Sequence, residues 1–418
     1  MSRPHVARLD GTVQHYAWGS RETLATLRGR PVPSDSPEAE LWFGAHPRGP
    51  SRLLDGSSPE ALDAAIARAP TAMLGAAGIV RFGRRLPFLL KILAIEQPLS
   101  LQVHPSAVQA REGFAREQAA GVPIDAPTRN YRDALPKPEL LVALTELEVL
   151  AGFRDAAEIV ELLDALGLGV FDGIRRRLVD DGDGALSAVV GTLLRWPVAD
   201  RSTLVAALAD RAAEVARGDH PAARAFAWLP RLRTRHHDDP GVAVALLLQH
   251  ATLAPGQAVS LPAGCPHAYL RGTAVECMAA SDNVLRGGLT AKHVDVDELL
   301  AVLDAEPARQ LHVEPTPVDG GVAYPTPTGH FALERYAQLT TPVRLAGDGP
   351  QILLALGPAD VVAAGRHLSL QTGQAVFVPA AADDIELAGA GPVFRTTVGG
   401  ERHDAAIHEK RAGQTAPA

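Results

Sequence analysis

Two periods organise the hydrophobic and polar positions of this chain. Up to about residue 150 the apolar stretches are short, and glycine and proline interrupt them often, which predicts antiparallel β-strands joined by turns. From Asp155 onwards apolar residues recur at helical spacing, with Asp155 as the predicted N-cap and Gly167 as a stop. Because the pattern continues to about residue 247, we predict a helical segment between two β-rich parts. Residues 106–118, polar and rich in alanine, are a further candidate helix.

An internal repeat indicates the type of β-structure. Residues 253–270 align without gaps with residues 370–387, and both copies contain GQAV and a glycine followed, after five residues, by proline. Gly-x5-Pro-x-Gly-x2-His is the second motif of the cupin jelly roll, an antiparallel double-sheet barrel. The first copy keeps the histidine, His267, whereas the second copy has Asp384 at that position. Only the first copy therefore has the residues expected of a metal site.

These patterns predict a mainly β protein with an α-helical insertion, made of two cupin-like jelly-roll barrels and a helical domain. We expect residues 1–154 and 248–320 to form a discontinuous catalytic barrel and residues 155–247 to form the helical insertion. Residues 321–418 are expected to form a C-terminal barrel without a metal site, since Asp384 replaces the motif histidine.

A row of polar residues occupies one predicted strand, PLSLQVHPS. Ser100, Gln102 and His104 alternate with apolar residues, so all three side chains fall on one face. Gln102-x-His104 lies where many cupins have His-x-His, His267 comes from a later strand, and Glu139 in LPKPELL supplies a carboxylate. Two nitrogen and two oxygen donors suit zinc. The alternative is that His104 is a structural histidine and that Gln102 bonds the backbone; Cys265 is interpreted as a small buried residue.

Composition restricts the function classes. The chain has 418 residues and a formal net charge of −8, which argues against nucleic-acid binding. Its apolar runs are short, no signal-peptide pattern is visible, and its two cysteines are too few for a disulfide framework. We therefore expect a cytoplasmic protein without a membrane partner, either a monomer or a weak homo-oligomer.

Lysine is rare in this chain. Lys and Arg total 40 residues, of which four are lysines, and three of these, Lys91, Lys137 and Lys292, lie in or near the motifs described here. A compact ammonium group is not interchangeable with a guanidinium, so the retained lysines are candidates for specific contacts. Chance retention is the alternative.

Several segments together resemble type I mannose-6-phosphate isomerase. In order along about residues 12–300 they are QHYAWGS, LWFGAHPRGPS, FLLKILAIEQPLSLQVHP, KPELLVALTELEVLAGFR, LPAGCPHAYLRG and VECMAASDNVLRGGLTAKHVDVDEL. The resemblance implies one zinc ion bound by Gln102, His104, Glu139 and His267. It also implies that Arg286 and Lys292 line the site. The chain departs from the family where Leu135 and Pro136 replace a pair such as Asn-His, and where Ala291 replaces a frequent proline.

The resemblance implies zinc-dependent interconversion of mannose 6-phosphate and fructose 6-phosphate by proton transfer through a cis-enediolate. Lys292 and Ser100, with Lys91 behind them, are the candidates for binding the phosphate. Arg286 would bind phosphate or stabilise a negative oxygen near the metal, and Asp282 would orient Arg286.

The sequence leaves two candidates for the general base, Lys137 and Glu276.

Three of the proposed site residues also have a purely structural interpretation. Lys91 could be a strand lysine that snorkels to solvent, Glu276 a structural carboxylate, and Asp282 the cap of a turn.

Two other function classes remain at this point. His104, Glu139 and His267 alone would satisfy the two-histidine, one-carboxylate triad of a non-haem iron oxygenase. A fourth ligand at Gln102 and the retained lysines argue against that class. A sugar-binding cupin without turnover is the third class, and fold analogy alone does not decide among them.

Overall fold

The computed structural model describes residues 6–54, 58–308, 311–326, 328–347, 349–382 and 384–400. Its strands, in chain order, are β1 (Ala7–Asp10), β2 (Thr12–Gln14), β3 (Glu40–Phe43), β4 (Arg52–Leu54), β5 (Glu60–Ala61), β6 (Phe88–Ile95), β7 (Gln102–Val103), β8 (Glu139–Ala143), β9 (Leu147–Phe153), β10 (Leu248–Leu253), β11 (Ala258–Leu261), β12 (His267–Ala279), β13 (Leu285–Arg286), β14 (His312–Val313), β15 (Thr316–Val318), β16 (Gly321–Tyr324), β17 (Ala332–Tyr336), β18 (Leu339–Leu345), β19 (Gln351–Ala355), β20 (Ala359–Ala363), β21 (Arg366–Leu370), β22 (Ala375–Val378), β23 (Ile385–Gly389) and β24 (Val393–Thr397).

The helices are α1 (Thr23–Leu27), α2 (Leu62–Arg68), α3 (Pro70–Leu74), α4 (Ala76–Phe82), α5 (Ala107–Ala119), α6 (Ala156–Leu166), α7 (Asp172–Asp181), α8 (Leu186–Leu194), α9 (Arg201–Val215), α10 (Ala223–Phe226), α11 (Trp228–Arg233), α12 (Gly241–Leu246) and α13 (Val296–Val302). No helix in these parts of the chain has the length and apolar character needed to cross a membrane.

The mainly β class with a helical region is confirmed, and the predicted caps of the first long helix are present. The Asp155 side chain accepts a hydrogen bond from the Glu158 backbone N–H, and Gly167 has the left-handed conformation that ends α6. The candidate helix after residue 106 is α5, which begins with a capping box of Ser106 and Gln109. Helices α1 to α4 were missed, because helices of five to seven residues are too short to show a helical period.

The long strand β12 organises the first sheet. This sheet runs β14-β11-β8-β12-β6-β3-β2, with β7, β9, β10 and β13 attached to it. The register places Glu276 opposite Lys91 on β6, and places Met278 opposite Glu139 on β8. At its other end β12 begins with His267, which lies opposite Gln102 on β7. One strand thus brings the predicted site residues from distant segments into one sheet.

The second sheet contains strands from both ends of the chain. Its order is β15-β16-β17-β24-β19-β22-β1-β4-β5, and β18, β23, β20 and β21 form a further sheet. Strand β1 pairs with β22, with Ala7 opposite Phe377. Strands β1, β4 and β5 thus pair within the second sheet, although residues 1–154 were expected in the catalytic barrel, and β15 pairs there although it precedes residue 321. The domain bounds stay a prediction. A strand's alternating pattern fixes which face is buried but does not identify its partner strand.

The first and second sheets pack face to face through apolar residues. Alternation along each strand sends these residues to one face and the polar residues to the other. The shared core includes Leu90, Ile92, Val275 and Cys277 from the first sheet and Ile352, Leu354, Phe377 and Phe394 from the second. Lys91 and Glu276 consequently lie on the opposite face of the first sheet, away from the second. The division into two closed barrels stays a prediction.

The helical segment packs behind the strand of the polar row. Leu101 and Val103 belong to the same buried core as the helices α6 to α9, α11 and α12. The ladder assigned to β7 is short, but its flanks are also bonded: Leu99 N–H donates to Tyr269 O (2.9 Å) and Leu101 N–H donates to Gly288 O (3.0 Å). The helices therefore support the apolar side of the strand that presents Gln102 and His104.

The internal repeat is visible in the strand registers. Leu261 lies opposite Glu139 in the first sheet, and its repeat equivalent Val378 lies opposite Gln351 in the second. Lys91 lies opposite Glu276 just as Glu334 lies opposite Arg395. The second sheet therefore has an amide in place of the Glu139 carboxylate, and its charged pair has the opposite polarity.

In the second sheet the Arg395 guanidinium lies at the centre of the buried polar cluster that it forms with Gln351 and Glu334. It donates to Gln351 Oε1, to Glu334 Oε2 and to the carbonyl oxygen of Ala346, each at 2.7 Å. Asp384 is exposed and has a left-handed backbone. A C-terminal unit without a metal site stays a prediction, which these replacements support.

Replacing Arg395 with leucine is expected to destabilise the fold by about 3–5 kcal/mol, because the buried Glu334 carboxylate and Gln351 amide oxygen lose their shared donor. Denaturant unfolding of the metal-loaded protein measures the change. Arg344→Leu is the matched control, since Arg344 is 82% exposed and its pair with Glu386 is at the surface. Equal effects of the two substitutions would contradict this assignment.

Candidate metal centre and active site

Three buried side chains of the first sheet and its attached strands converge on one point. The ligand atoms of His104, Glu139 and His267 lie within 4.8 Å of one another. His104 Nε2 is 3.2 Å from Glu139 Oε1, and His267 Nε2 is 3.5 Å from Glu139 Oε2. Each residue is at most 3% exposed. Gln102 is half-buried and lies opposite His267 in the ladder, so the four predicted ligands occupy one region.

Backbone carbonyls fix the tautomers of both histidines. His104 Nδ1–H donates to Asn283 O at 2.8 Å, and His267 Nδ1–H donates to Cys265 O at 3.0 Å. Each Nε2 lone pair is therefore free to bind a cation. His104 Nε2 is buried without a hydrogen-bond partner, and burial, with the nearby Lys137 charge, lowers the pKa of His104 to about 4. A neutral imidazole with an unpaired lone pair beside a carboxylate fits a divalent metal site.

Cys265 contributes its backbone and not its thiol. Its carbonyl oxygen orients His267, and burial raises the pKa of the Cys265 thiol to about 12. A protonated buried thiol is a poor metal ligand. This agrees with the interpretation of Cys265 as a small buried residue.

Asn283 joins the strand of His104 to the loop before Glu139. Its Oδ1 accepts from the backbone N–H groups of Arg132 (2.7 Å) and Asp133 (3.2 Å). Its Nδ2 donates to the carbonyl oxygens of Asp133 (2.7 Å) and Leu135 (2.9 Å). Because its own carbonyl orients His104, this fully buried amide positions two ligand-bearing segments. Asn283 lies in the segment VECMAASDNVLRGGLTAKHVDVDEL that carries the family resemblance, but the sequence analysis assigned it no role.

A chain of buried polar contacts extends from the metal centre into the sheet. Lys137 Nζ is 3.1 Å from Glu139 Oε1, and the Tyr269 hydroxyl donates to Glu139 Oε2 at 2.7 Å. The same hydroxyl is 3.2 Å from Glu276 Oε1, and Lys91 Nζ donates to Glu276 Oε2 at 2.7 Å. Both candidate bases, Lys137 and Glu276, therefore belong to one network with the ligand carboxylate.

The pKa values of the two carboxyl groups in this network, Glu139 and Glu276, are shifted in opposite directions. Burial alone favours protonation of Glu139, but the charge of Lys137 holds the pKa of Glu139 well below its usual range. At Glu276 burial dominates and raises the pKa, with Lys91 opposing and Glu139 reinforcing the shift. Glu139 is thus suited to bind a cation, whereas Glu276 is suited to exchange a proton.

Lys91 is a buried ion-pair partner. Besides Glu276, its ammonium is 3.4 Å from Glu40 Oε2 and lies 5.4 Å from the centre of the Trp42 ring. Trp42 Nε1–H also donates to Glu40. Despite burial, the carboxylates raise the pKa of Lys91. The alternative of a snorkelling lysine is wrong, and no sequence signal identified Glu40, Trp42 or Tyr269 as its neighbours.

Four cationic side chains define the outer part of the site. Arg286 lies opposite Gln102 in the β13–β7 ladder. Burial lowers the pKa of Arg286, and the charges of Arg132 and Arg48 add to this effect. Burial also lowers the pKa of Lys292, followed by the charges of Arg286, Arg48 and Arg132. The sequence identified Arg286 and Lys292, but not Arg48 or Arg132, because arginine is common throughout the chain.

Asp282 lies at the same outer region but does not contact Arg286. Its carboxylate is 3.1 Å from Arg48 Nη1 and 3.5 Å from His46 Nε2, and its backbone N–H donates to Asp133. No ion pair or hydrogen bond between Asp282 and Arg286 is present among the described residues. The expected contact between Asp282 and Arg286 is therefore not formed, and Asp282 pairs with Arg48 instead. Ser100 is half-buried on the same extended segment as Gln102.

Comparison with known proteins gives one consistent result. A family model of the phosphomannose isomerase type I catalytic domain matches residues 6–156. The mannose-6-phosphate isomerase of Escherichia coli strain K12 is 36% identical over 392 residues, covering 93% of this chain and 98% of that protein. The Homo sapiens mannose-6-phosphate isomerase is 34% identical over 328 residues, covering 74% of this chain and 75% of that protein.

Solved structures agree with these relatives. The crystal structure of mannose 6-phosphate isomerase from Salmonella typhimurium bound to fructose 6-phosphate and zinc has a TM-score of 0.86 at 36% identity. The superposition covers 95% of this chain and 100% of the Salmonella typhimurium chain. A zinc-bound mannose 6-phosphate isomerase structure also gives a TM-score of 0.86, at 35% identity, with the same coverage.

Asn283→Asp is expected to weaken Zn²⁺ binding by roughly 10- to 100-fold, because a carboxylate oxygen would replace the amide donor facing two carbonyls. Competition with a chromophoric chelator measures the affinity. Asn130→Asp is the control, because Asn130 Nδ2 donates to Asp295 and lies outside the His104 contact. A similar loss of affinity in both variants would show that Asn283 has no special role.

Proposed function

The chain belongs to the type I phosphomannose isomerase family, and we propose that it interconverts mannose 6-phosphate and fructose 6-phosphate with one bound zinc ion. The observation that carries this conclusion is the buried cluster of His104, Glu139 and His267, which adjoins Glu276, a carboxyl whose pKa burial raises. The oxygenase and non-catalytic alternatives are not favoured, since the matched relatives are isomerases. Cytoplasmic location and a monomeric or weakly associated state stay predictions.

We assign zinc ligation to Gln102, His104, Glu139 and His267. The two imidazoles and the carboxylate supply three donors, and the Gln102 amide oxygen is the fourth. Bound zinc supplies Lewis-acid polarisation of the substrate oxygens. Lys137 Nζ lies 3.1 Å from Glu139 Oε1, so its ammonium adjoins the proposed ligand carboxylate.

The reaction moves a proton from C2 to C1 of the aldose and a second proton from the oxygen on C2 to the oxygen on C1. We assign the transfer of the carbon-bound proton to Glu276. Its raised pKa suits a carboxyl group that accepts a proton and then returns it. Lys91 and Tyr269 hold this carboxyl by hydrogen bonds. Lys137 provides exchangeable N–H groups for the oxygen-bound proton, and Arg286 stabilises the negative oxygen of the cis-enediolate.

The substrate phosphate requires a local positive field in an acidic protein. We assign it to the opening formed by Lys292, Arg286, Arg48 and Arg132, with Ser100 as a neutral donor. Lys91, predicted to support the phosphate, is instead assigned to holding Glu276, because its ammonium is buried between two carboxylates. Asp282 acts on this opening through Arg48.

The zinc-loaded protein is expected to isomerise mannose 6-phosphate, and Glu276→Gln should retain zinc while lowering kcat by roughly 10²- to 10⁴-fold. Loss of deuterium from C2-labelled substrate into water identifies the base. Glu276→Gln should stop this loss, whereas Lys137→Met should slow turnover but leave the washout detectable. Because the pKa of Glu276 is raised, wild-type kcat/KM should fall with decreasing pH at a value above the usual carboxyl range.

Glu314→Gln serves as the control for this experiment, because the Glu314 side chain is 68% exposed and lies outside the network. Washout that survives in Glu276→Gln but is lost in Lys137→Met would reverse the two roles. Absence of isomerase activity in the zinc-loaded wild type would reject the proposed function.

Lys292→Ala should lower kcat/KM by roughly ten- to more than a hundredfold, since a charge-assisted contact to phosphate contributes about 1.5–3 kcal/mol. Zinc content and fold should be unchanged, and Lys292→Arg should restore activity only in part. Steady-state kinetics with inorganic phosphate as a competitive inhibitor provide the measurement. Arg217→Ala, an exposed cation of the helical segment, is the control. If kcat/KM and phosphate inhibition are unchanged in Lys292→Ala, the phosphate is bound by Arg286, Arg48 and Arg132 and not by Lys292.

A further inference from the structure

The loop that carries Arg286 and Lys292 is bonded on two sides. On one side it is tied to the strand of the polar row: Leu101 N–H donates to Gly288 O at 3.0 Å, and Gly287 N–H donates to Leu101 O at 2.9 Å. On the other side Asp239 Oδ2 accepts from the Thr290 backbone N–H at 3.0 Å. Asp239 belongs to the turn HHDDPG, which leads from α11 into α12 in the helical segment.

The same carboxylate also organises its own turn. Asp239 Oδ1 accepts from the Gly241 N–H at 2.7 Å, at the start of α12. All six residues of α12 are buried, so this end of the turn is anchored in the helical core. His237 and Asp238, the neighbours of Asp239, are exposed. Asp239 is thus the member of this polar turn whose side chain reaches the Arg286–Lys292 loop.

The two backbones approach so closely at this contact that neither glycine has room for a side chain. A Cβ built on Gly241 would lie 2.7 Å from Gly288 Cα, and one built on Gly288 would lie 2.5 Å from Gly241 Cα. Gly288 has φ of +117°, and the following Leu289 has φ of 55°, a left-handed conformation that is unfavourable for leucine. Such a loop conformation persists only where the surrounding contacts impose it, and the Asp239–Thr290 bond is one of these contacts.

We propose that Asp239 is a positioning residue through which the helical segment holds the Arg286–Lys292 loop in place for the substrate phosphate. This role rests on the proposed function of that loop. The side-chain hydrogen bonds of Asp239 among the described residues go to backbone N–H groups of Gly241 and Thr290, and Asp239 acts through Thr290, two residues before Lys292. The helical segment thereby sets the geometry of phosphate recognition in the β-structure.

The test is Asp239→Asn in the zinc-loaded protein. An asparagine side chain keeps one acceptor oxygen but turns an N–H group towards one of the two backbone donors. KM for mannose 6-phosphate and the inhibition constant of inorganic phosphate should both rise by roughly tenfold, with a smaller change in kcat and no change in zinc content. Asp238→Asn, the same change at the exposed neighbour, should match the wild type.

A double-mutant cycle separates positioning from general destabilisation. If Asp239 acts through the loop, Asp239→Asn should have much less effect on phosphate inhibition in the Lys292→Ala background than in the wild type. Equal effects in both backgrounds, or an unchanged phosphate inhibition constant in Asp239→Asn, would overturn the proposal. Asp239→Ser keeps a single acceptor oxygen, which can still accept from the Gly241 N–H, and should produce a similar rise in KM; it covers the case where Asp239→Asn does not fold.

Failure of the proposed function is distinguishable from failure of this role. The shift of the melting temperature with added inorganic phosphate measures anion binding without turnover. A wild type that does not isomerise mannose 6-phosphate rejects the proposed function, whereas the positioning role fails when Asp239→Asn and wild type respond equally to phosphate.

Discussion

The buried carboxylate of Glu139 is the group on which the arrangement of charges depends. It lies within hydrogen-bonding distance of Lys137 and Tyr269 and close to two imidazoles, with almost no access to water. A buried ion without partners destabilises a fold by several kcal/mol, so each neighbour is needed in its place. Tyr269 connects Glu139 to Glu276, which in turn requires Lys91. The register of β6, β12 and β8 is therefore constrained by charge as well as by apolar packing.

Local patterns in the sequence identified the features that depend on a few neighbouring residues. The alternation around Gln102 and His104, the histidine of the barrel motif and the caps of α6 are all encoded within about a dozen positions. Glu40, Trp42, Arg48 and Arg132 could not be placed in this way. Their relation to the centre depends on pairing between strands far apart in sequence, such as β3 with β6. The same limit applies to β1, because its pattern is that of a strand and nothing local specifies β22 as its partner.

The two repeat copies show how one scaffold supports two different interiors. In the first, a carboxylate and histidine lone pairs leave coordination sites available to a cation. In the second, Gln351 and Glu334 already receive donors from Arg395, so the guanidinium satisfies the cluster from within. A guanidinium has five fixed N–H donors and no acceptor, which suits it to closing a polar core. The contrast follows from side-chain identity at equivalent registers, because the strand pairing is shared.

The strand that presents Gln102 and His104 to the metal centre buries its other face, Leu101 and Val103, among the helices. The catalytic sheet and the inserted helices are consequently not separable modules. An effort to engineer a smaller enzyme by excising residues 155–247 would expose the back of the ligand-bearing strand and remove the Asp239 contact at once. Minimisation of this enzyme would have to begin with a new apolar cover for that strand, designed before any helix is deleted.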